Sequence, residues 1–383
     1  MKINSNLIRI FSLILVISLT AVILAACAND AESNVTPENG PVVVVSDDEQ
    51  ELDPVQESES ELEPLPEPEP EPEDTGFYNP LTGMATWEDI SNNRPIAVMI
   101  NNVRAGLPQQ GTSRADIIYE TLVEGGLTRT VAIFQDVSRA GVLGGVRSAR
   151  LVYVDIAQAH DAILMHAGGS PEAILVINRR DLDTINEIGG PRGRNIFFRD
   201  STRRARLGSE HSLMTSGERI TNELADLGFR LEHEADYQHS FEFVQDGTPA
   251  DGNVANNVTV VFSGAKSTIF VYNAEQNRYY LEQFGRPHLD ANDDTQISVT
   301  NVIVIRTSIS NIPGDDAGRQ RIVTEGSGTG YFINGGKYIE INWSRTNVSD
   351  PFSFTLSDGS PLLLGVGRTY VCIIPTNAAV NFR

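Results

Sequence analysis

Arginine is concentrated in one part of the chain. Residues 190–206 contain one acid, Asp200, and six arginines, which are Arg192, Arg194, Arg199, Arg203, Arg204 and Arg206. Arg147 and Arg150 lie upstream in a Gly-x-Arg-Ser-x-Arg sequence. Guanidinium groups bind phosphate and carboxylate oxygens in pairs, so this composition predicts an anion-binding site. The alternative is an arginine-rich surface whose side chains pair with neighbouring carboxylates.

Gly168, Gly169 and Ser170 stand between an apolar run and a helix-start signal. Ser170 suits the N-cap, Pro171 the first helical position and Glu172 the first turn. Free backbone N–H groups at such a start, together with the helix dipole, favour an anion. If this loop and the arginines meet at one sheet edge, they would form a pocket for a phosphorylated or acidic component.

Two hypotheses for catalysis use other polar residues of the same region. In the first, His166 would be the base for Ser170 as nucleophile, although an N-cap role explains Ser170 better. In the second, Glu120 and Glu124 would form a carboxylate pair one helical turn apart, although such a pair is also typical of a solvated face. No Gly-x-Ser-x-Gly sequence surrounds Ser170. The catalytic residues therefore stay unassigned.

Metal and cofactor signals are weak. Residues 290–294 begin like a calcium loop, but Thr295 stands where that loop requires glycine and no Glu occupies its twelfth position. The six histidines include no i, i+4 pair on a helix. His288 is either a satisfied turn residue or part of a site in the second half. No metal and no cofactor is expected.

Strands and helices alternate in the first half of the folded part. Continuous apolar runs predict strands at 96–100, 130–134 and 162–166. Helical patterns occupy 115–123, 150–160 and the residues from Ser170 onward. Thr215 with Glu218 forms a capping box for a further helix. This alternation predicts an α/β sandwich that would position the candidate residues.

From about His239 onward the pattern is nearly all strand. Strands are predicted at 258–262, 269–272, 279–283, 297–305, 338–343, 352–356 and 369–374. Asn334-Gly335 and Asp358-Gly359 suit hairpin turns, and the glycine-rich residues 326–330 are interpreted as a tight turn. The predicted fold class is α+β, with an N-terminal α/β sandwich domain followed by a mostly antiparallel β-domain.

The N-terminus carries an export signal. Lys2 and Arg9 precede an uncharged apolar run, residues 10–26, which ends in Leu-Ala-Ala before Cys27. This order resembles a bacterial lipobox, in which the cysteine is acylated and becomes residue one after cleavage; the alternative is an uncleaved anchor helix. A lipidated cysteine supplies more than one acyl chain, as stable attachment requires. Cys372, in an apolar strand-like run, is expected to be a small buried hydrophobe.

Charge is distributed unevenly along the chain. The 383 residues hold 51 acidic and 29 basic side chains, a formal charge of −22. Residues 28–76 contain 17 acids, eight prolines and no lysine or arginine, which predicts a disordered spacer. Residues 77–383 carry only −7. The acidic excess therefore leaves an anionic ligand open, whereas the export signal argues against nucleic acid.

Composition and charge together predict four segments. They are a lipoprotein signal peptide at 1–26, a lipidated cysteine with a disordered acidic Pro-rich stalk at 27–76, an α/β domain at 77–235 and a β-rich domain at 236–383.

Ordered blocks along the folded part resemble the YerB-like bacterial lipoproteins. These blocks are 95–102, 115–120, 123–129, 145–150, 165–173, 198–201, 285–290, 301–304 and 326–331, together with Trp343. The family has two domains without an established biochemical activity, so the resemblance implies class and location but no mechanism. The chain departs from the family pattern after Ser201, where the family has Arg-x-x-Pro-His-Asn. Residues 203–212 of this chain include His211 but lack the proline before it and the asparagine after it.

We expect a membrane-anchored extracytoplasmic lipoprotein that binds or scaffolds at the cell envelope through an arginine-lined anion site. Its partner would be an anionic cell-wall polymer, a lipid phosphate or an envelope protein, and the alternative function is a cell-wall-modifying hydrolase or transferase acting on an anionic glycan or lipid-phosphate substrate. Cys27 is the predicted lipidation residue. The candidate ligand-binding residues are Glu124, Arg129, Arg147, Ser148, Arg150, His166, Gly168, Gly169, Ser170, Arg199, Asp200 and His288.

Overall fold

The computed structural model describes residues 75–188, 195–239 and 241–383. The predicted signal peptide, Cys27, nearly all of the predicted stalk, and Arg192 and Arg194 lie outside these residues. The described residues all belong to one compact unit.

The described part of the chain contains four α-helices, which are short. They are α1 (Leu151–Ala159), α2 (Pro171–Arg180), α3 (Ser201–Leu207) and α4 (Gly217–Leu224). None of them is long and apolar enough to cross a bilayer.

Strands make up most of the regular structure. They are β1 (Ile96–Asn102), β2 (Ile117–Leu122), β3 (Thr128–Phe134), β4 (Val142–Gly144), β5 (Ile163–His166), β6 (Thr184–Asn186), β7 (Phe198–Arg199), β8 (Leu213–Ser216), β9 (Glu242–Val244), β10 (Asn253–Val254), β11 (Asn257–Ser263), β12 (Lys266–Asn273), β13 (Arg278–Gln283), β14 (Arg286–Pro287), β15 (Ser298–Val299), β16 (Asn301–Thr307), β17 (Ile309–Asn311), β18 (Gln320–Ile322), β19 (Gly326–Asn334), β20 (Lys337–Arg345), β21 (Ser353–Thr355), β22 (Leu363–Gly365), β23 (Thr369–Pro375) and β24 (Val380–Phe382).

A mixed central sheet joins the two halves of the sequence. Its strand order is β10-β20-β19-β16-β23-β2-β3-β1-β5-β6, with β21 paired to β20. The junction is the parallel pair β2–β23, which aligns Ile117 with Thr369. The predicted division between residues 235 and 236 stays a prediction, and strands from both sides of it hydrogen-bond within this sheet.

Each face of the central sheet is covered by a different layer. On one face, Met99 and Tyr119 pack with Tyr153 of α1 and Ile177 of α2. On the other face, Ile118 packs with side chains of a second, antiparallel sheet of order β14-β13-β12-β11-β24, with β15 paired to β13. β1 is buried at every position because it lies between two layers. β11 alternates buried and half-exposed residues because only one of its faces is covered.

Several predictions of local structure are confirmed. The α+β class is confirmed, with helices against one part of the sheet and antiparallel strands dominating the second half. Helix α2 begins as predicted, with Ser170 as N-cap and Pro171 at the first position. The predicted hairpin at Asn334-Gly335 is present: Asn334 ends β19, and Gly335 and Gly336 connect it to β20. Cys372 is fully buried, and burial raises the pKa of its thiol well above the ordinary value.

The predicted helix at 115–123 is wrong. Residues 117–122 form strand β2, and all six are buried. Because both faces of β2 are covered, its apolar residues show no period of two, and their spacing fits a helix equally well. Glu120 and Glu124 are therefore not neighbours on a solvated helix face.

Two further local predictions are also wrong. The N-cap of α4 is Ser216, whose Oγ accepts from Arg219 N at 3.2 Å, because the hydroxyl of Thr215 donates to Ile196 O. Residues 326–330 lie in strand β19 and form no turn. A Cβ at Gly330 would lie 1.9 Å from Val304 O, so glycine is required there by close strand approach.

Candidate functional site

Most of the candidate residues gather at one edge of the central sheet. β1, β2 and β5 run in the same direction, and their carboxyl ends lie at this edge. In open α/β sheets, ligands bind outside the carboxyl ends of the strands. Residues 144–150 cross this edge, with Arg147 N donating to Met99 O and Ala149 N to Gly168 O.

Three arginines converge there, and we call them the arginine site: Arg129, Arg147 and Arg150. Arg129 is the second residue of β3. Because β3 runs antiparallel to β1, the amino end of β3 lies at the same edge as the carboxyl end of β1. Its side chain is almost fully covered, at 7% exposed, and its Nη1 donates to Ser148 O at 2.6 Å. Burial and the neighbouring charges of Arg150 and Arg147 lower the pKa of Arg129 to about 10.

Arg129 differs from its two neighbours in its partners. Arg150 Nε lies 2.5 Å from Glu124 Oε1, and Arg147 Nη2 lies 2.5 Å from Glu210 Oε1. Among the described residues, no carboxylate lies within 4 Å of the Arg129 guanidinium, and the buried Nε of Arg147 has no hydrogen-bond partner. A buried cation ordinarily needs a paired anion, so the site has cationic capacity that these protein contacts do not use.

Helix α1 begins beside the arginine site without the usual capping groups. Arg150 occupies the N-cap, makes no side-chain cap, and is followed by a first turn without an acid. Helix starts ordinarily favour Ser, Thr, Asp or Asn at this position and acids in the first turn, because the helix dipole is positive there. A basic N-cap beside two more arginines therefore concentrates positive potential at this helix start.

The Gly168–Ser170 loop is used within the protein. Ser170 Oγ accepts from Ala173 N at 3.2 Å, which caps helix α2. Gly168 N donates to Asn186 Oδ1, and Ser170 N donates to Ala149 O. The loop thus holds residues 147–150 in place, while Gly169 pairs with Ala149. The helix start that lies next to the arginine site is that of α1, whose N-cap is Arg150.

His166 lies at the carboxyl end of β5, under the same loop. Its Nδ1 is 2.8 Å from Gly168 O, and its buried Nε2 has no hydrogen-bond partner among the described residues. Burial lowers the pKa of His166, which keeps the ring neutral at pH 7.

Arg199 and Asp200 support the neighbouring loop. Arg199 Nη1 donates to Ser209 O at 2.8 Å, one residue from the Glu210 that pairs with Arg147. Asp200 is the N-cap of α3, with Oδ1 accepting from Arg203 N at 2.6 Å. Among the described arginines of residues 195–206, Arg203 is buried and donates to three backbone carbonyls: Gly106 O, Pro108 O and His211 O.

His288 follows β14 in the second sheet, and its neighbour Gln109 donates through Nε2 to Asn101 O near the carboxyl end of β1 at 2.8 Å. His288 is buried, and its Nε2 is 3.0 Å from Gln109 Oε1. Burial lowers its pKa to about 3.

A cleft of about 310 Å³ lies on the helical side of the arginine site. Glu124, Arg150 and Ser170 line it, with Arg180 beyond them. Its charges are largely balanced, since Arg150 pairs with Glu124 and Arg180 Nη1 lies 2.7 Å from Asp155 Oδ1.

Glu120 is fully buried on the opposite face of the sheet from this cleft. Five side chains donate to its carboxylate, at 2.6 to 3.0 Å: Asn102, Thr128, Lys266, Thr268 and Tyr370. Burial raises its pKa, but Lys266 and the hydroxyl donors outweigh this and hold the pKa below the ordinary value. Within the described ranges, no group of three or more His, Cys, Asp or Glu residues is arranged to hold a metal ion.

The chain matches known proteins over most of residues 77–383. Residues 81–230 match the N-terminal domain, and residues 258–371 the C-terminal domain, of a family described as protein of unknown function DUF3048. The candidate lipoprotein YerB of Bacillus subtilis (strain 168) is 30% identical over 302 residues, which covers 77% of this chain and 86% of that protein.

A solved structure shows the same architecture. The crystal structure of the YerB protein from Bacillus subtilis aligns with a TM-score of 0.67 at 26% identity, covering 79% of this chain and 99% of that one. Sequence identity, both domain matches and the shared fold agree, and the chain therefore belongs to the YerB-like family of DUF3048 proteins.

Proposed function

We propose that the protein is anchored to the extracytoplasmic face of the membrane by lipid on Cys27. The support is the lipobox-like sequence before Cys27 and the similarity to a protein described as a candidate lipoprotein. The acidic segment that follows would act as a spacer between the membrane and the folded part.

The anchor is tested by comparing the two cysteines. In a Gram-positive host, Cys27→Ala should move the protein from the membrane fraction to the soluble fraction, because it removes the acylated thiol. Cys372→Ala is the matched control and should stay in the membrane fraction, since Cys372 is buried in strand β23. Retention of Cys27→Ala in the membrane fraction would refute the anchor.

We infer that the arginine site binds an anionic ligand of the cell envelope. The observation that carries this is the buried Arg129 guanidinium, which has Arg147 and Arg150 as neighbours and no carboxylate within 4 Å among the described residues. An anion there would also face the uncapped start of α1. The ligand class is a phosphate- or carboxylate-bearing wall polymer or lipid.

Binding is tested with soluble anions. We expect poly(glycerol phosphate) to bind the full chain in calorimetry, with affinity that falls as salt rises. The double variant Arg147→Gln/Arg150→Gln should lose at least tenfold in affinity, because two guanidinium groups are removed from the site. Arg179→Gln, an exposed arginine near the end of α2, is the control and should change affinity less than twofold. Absence of binding, or an equal loss in the control, would contradict the proposal.

The alternative function, a cell-wall-modifying hydrolase or transferase, gains no support from the described contacts. The Ser170 hydroxyl caps α2, and Glu120 is fully buried with five donors. We therefore propose binding as the function of this edge.

A further inference from the structure

A second, larger cleft opens at the opposite edge of the central sheet. Its volume is about 640 Å³, and it lies at the amino ends of β16 and β23, next to Thr300 and Arg368. Residues 83–85 of the N-terminal turn, together with Tyr78, form another wall. None of the residues that line it belongs to the arginine site or to the smaller cleft.

The charge of this cleft has one sign. Arg114, Arg278 and Arg368 line it, and none of the described lining residues is Asp or Glu. This contrasts with residues 77–383 as a whole, where acids outnumber bases by seven. Clefts lined by one sign of charge concentrate ligands of the opposite sign.

Arg278 is the least engaged of the three arginines. It begins strand β13 and is half-buried, and its guanidinium makes no ion pair or hydrogen bond within the described part of the chain. Arg114 reaches Asp293 at 3.4 Å on the surface. Arg368 lies near Asp116 and lowers its pKa, although burial, the larger effect, raises that pKa to about 6.

Three of the lining residues, Gly247, Gly365 and Gly367, pack closely against other parts of the protein. A Cβ at Gly247 would lie 2.3 Å from Gly365 N, and one at Gly365 would lie 2.6 Å from Asn334 Nδ2. Gly367 has a φ of +138°, and a Cβ there would lie 2.0 Å from Thr300 Oγ1. At these positions a Cβ would collide with neighbouring protein atoms, so backbone contributes to the lining there.

The remaining lining suits a sugar. Amide and hydroxyl side chains both donate and accept hydrogen bonds, as sugar hydroxyls require. Tyr78 adds a half-exposed aromatic ring at the rim, with a flat apolar face. The amide and hydroxyl side chains are Gln245, Gln276, Asn277, Ser298 and Thr300. Asn334 also borders the cleft, but it is buried and its Nδ2 donates to Asn301 Oδ1 at 2.8 Å.

We propose that this cleft binds an acidic saccharide. The arginines, Arg278 first, take the carboxylate or phosphate group, and the amides and hydroxyls take the sugar hydroxyls. The site is separate from the arginine site, so the protein holds envelope ligands at both edges of its central sheet.

The test is calorimetry on the full chain with three saccharides. A glucuronate-containing disaccharide and glucose 1-phosphate represent the two acid groups, and cellobiose is the neutral control. We expect at least one acidic saccharide to bind, and cellobiose to bind at least tenfold more weakly. Whichever acid binds more tightly identifies the natural acid group. Binding of neither acidic saccharide, or equal binding of cellobiose, would overturn the proposal, and so would equally tight binding of inorganic phosphate.

Matched variants locate the binding. Arg278→Gln should weaken it at least fivefold, whereas Arg286→Gln should change it less than twofold, because Arg286 is exposed on β14 outside the cleft. Arg278→Lys should bind at an intermediate affinity, which shows that the site is folded. Arg147→Gln/Arg150→Gln should bind the saccharide like the unmodified chain, which separates this cleft from the arginine site. Equal losses in Arg278→Gln and Arg286→Gln would overturn the assignment.

Discussion

Individual ionisable residues deviate from their ordinary protonation because of where the fold places them. Asp116 accepts hydrogen bonds from Asn79 Nδ2 at 3.0 Å and Gln135 N at 2.7 Å, yet burial raises its pKa to about 6. The pKa of Arg129 is lowered instead, because burial and two neighbouring arginines disfavour its positively charged form. Both residues lie at ends of central-sheet strands, where charged groups are partly removed from water.

Asp116 predicts a pH dependence of stability. Its folded pKa lies above the unfolded value, so the folded state binds more protons between pH 4 and 6, and the free energy of unfolding should fall as the pH rises through this range. Because Asp116 as a residue is only half-buried, solvent screening reduces the contribution to about 2 kcal/mol. Urea unfolding of Asp116→Asn should lack this component.

The control for this prediction is Asp358→Asn, in which the free energy of unfolding should decline with rising pH as it does in the unmodified chain. The Ser360 hydroxyl and N–H lower the pKa of Asp358, so this residue does not contribute a decline with rising pH. A decline of equal size in the unmodified chain and in Asp116→Asn would contradict the assignment to Asp116.

At the scale of elements, one ion pair joins the two large sheets. Glu120 projects from β2 of the central sheet, and Lys266 and Thr268 project from β12 of the second sheet. Lys266 Nζ lies 3.0 Å from Glu120 Oε1, and both side chains are fully buried. Such a pair stabilises little relative to apolar residues, but removing one partner leaves an uncompensated buried charge.

Lys266→Met should therefore destabilise the fold by about 3 to 5 kcal/mol. The free energy of unfolding in urea measures this. Lys337→Met, at the other lysine of the described residues, should cost less than about 1 kcal/mol, because Lys337 Nζ donates to one carbonyl, Ala250 O, at an exposed site. The double variant Glu120→Gln/Lys266→Met should recover at least half of the loss, and a double variant as unstable as the single one would count against the pair.

At the scale of the whole molecule, one sheet spans both family domains. β2 and β3 from the first half continue through β23 into β16, β19 and β20 of the second. Neither half can lose its strands without exposing the edge of the other. The two clefts lie at opposite edges of this sheet, so its rigidity fixes their separation.

This architecture predicts a single unfolding transition for the described residues. The chain has two tryptophans, of which Trp87 is exposed and Trp343 is buried on β20. In Trp87→Phe, the fluorescence of Trp343 and the far-UV circular dichroism should therefore change at the same urea concentration. Two transitions separated by more than about 0.5 M urea would show that the halves unfold independently.

Much of the local structure follows from the sequence. The buried strand β1 and the start of α2 are recognisable from an apolar run and from a Ser-Pro-Glu cap. The candidate residues Arg147, Arg150 and Glu124 were recognisable by residue type. The buried position of Glu120 does not follow from the sequence, because its partner Lys266 lies in a strand far along the chain and no local pattern reveals a buried pair.

The sequence by itself determines the fold class and the family, the lipobox-like sequence before Cys27, the acidic composition of residues 28–76 and the concentration of arginine. These depend on composition and short-range order, which need no tertiary contacts. Only the tertiary structure decided which arginines meet. Arg129 lies in β3 and Arg150 at the start of α1, and the packing of residues 144–150 across the sheet edge brings the two together. It also decided that the arginine-lined cleft at the opposite edge exists, because its walls come from segments far apart in the chain, and charge converges there only after they pack.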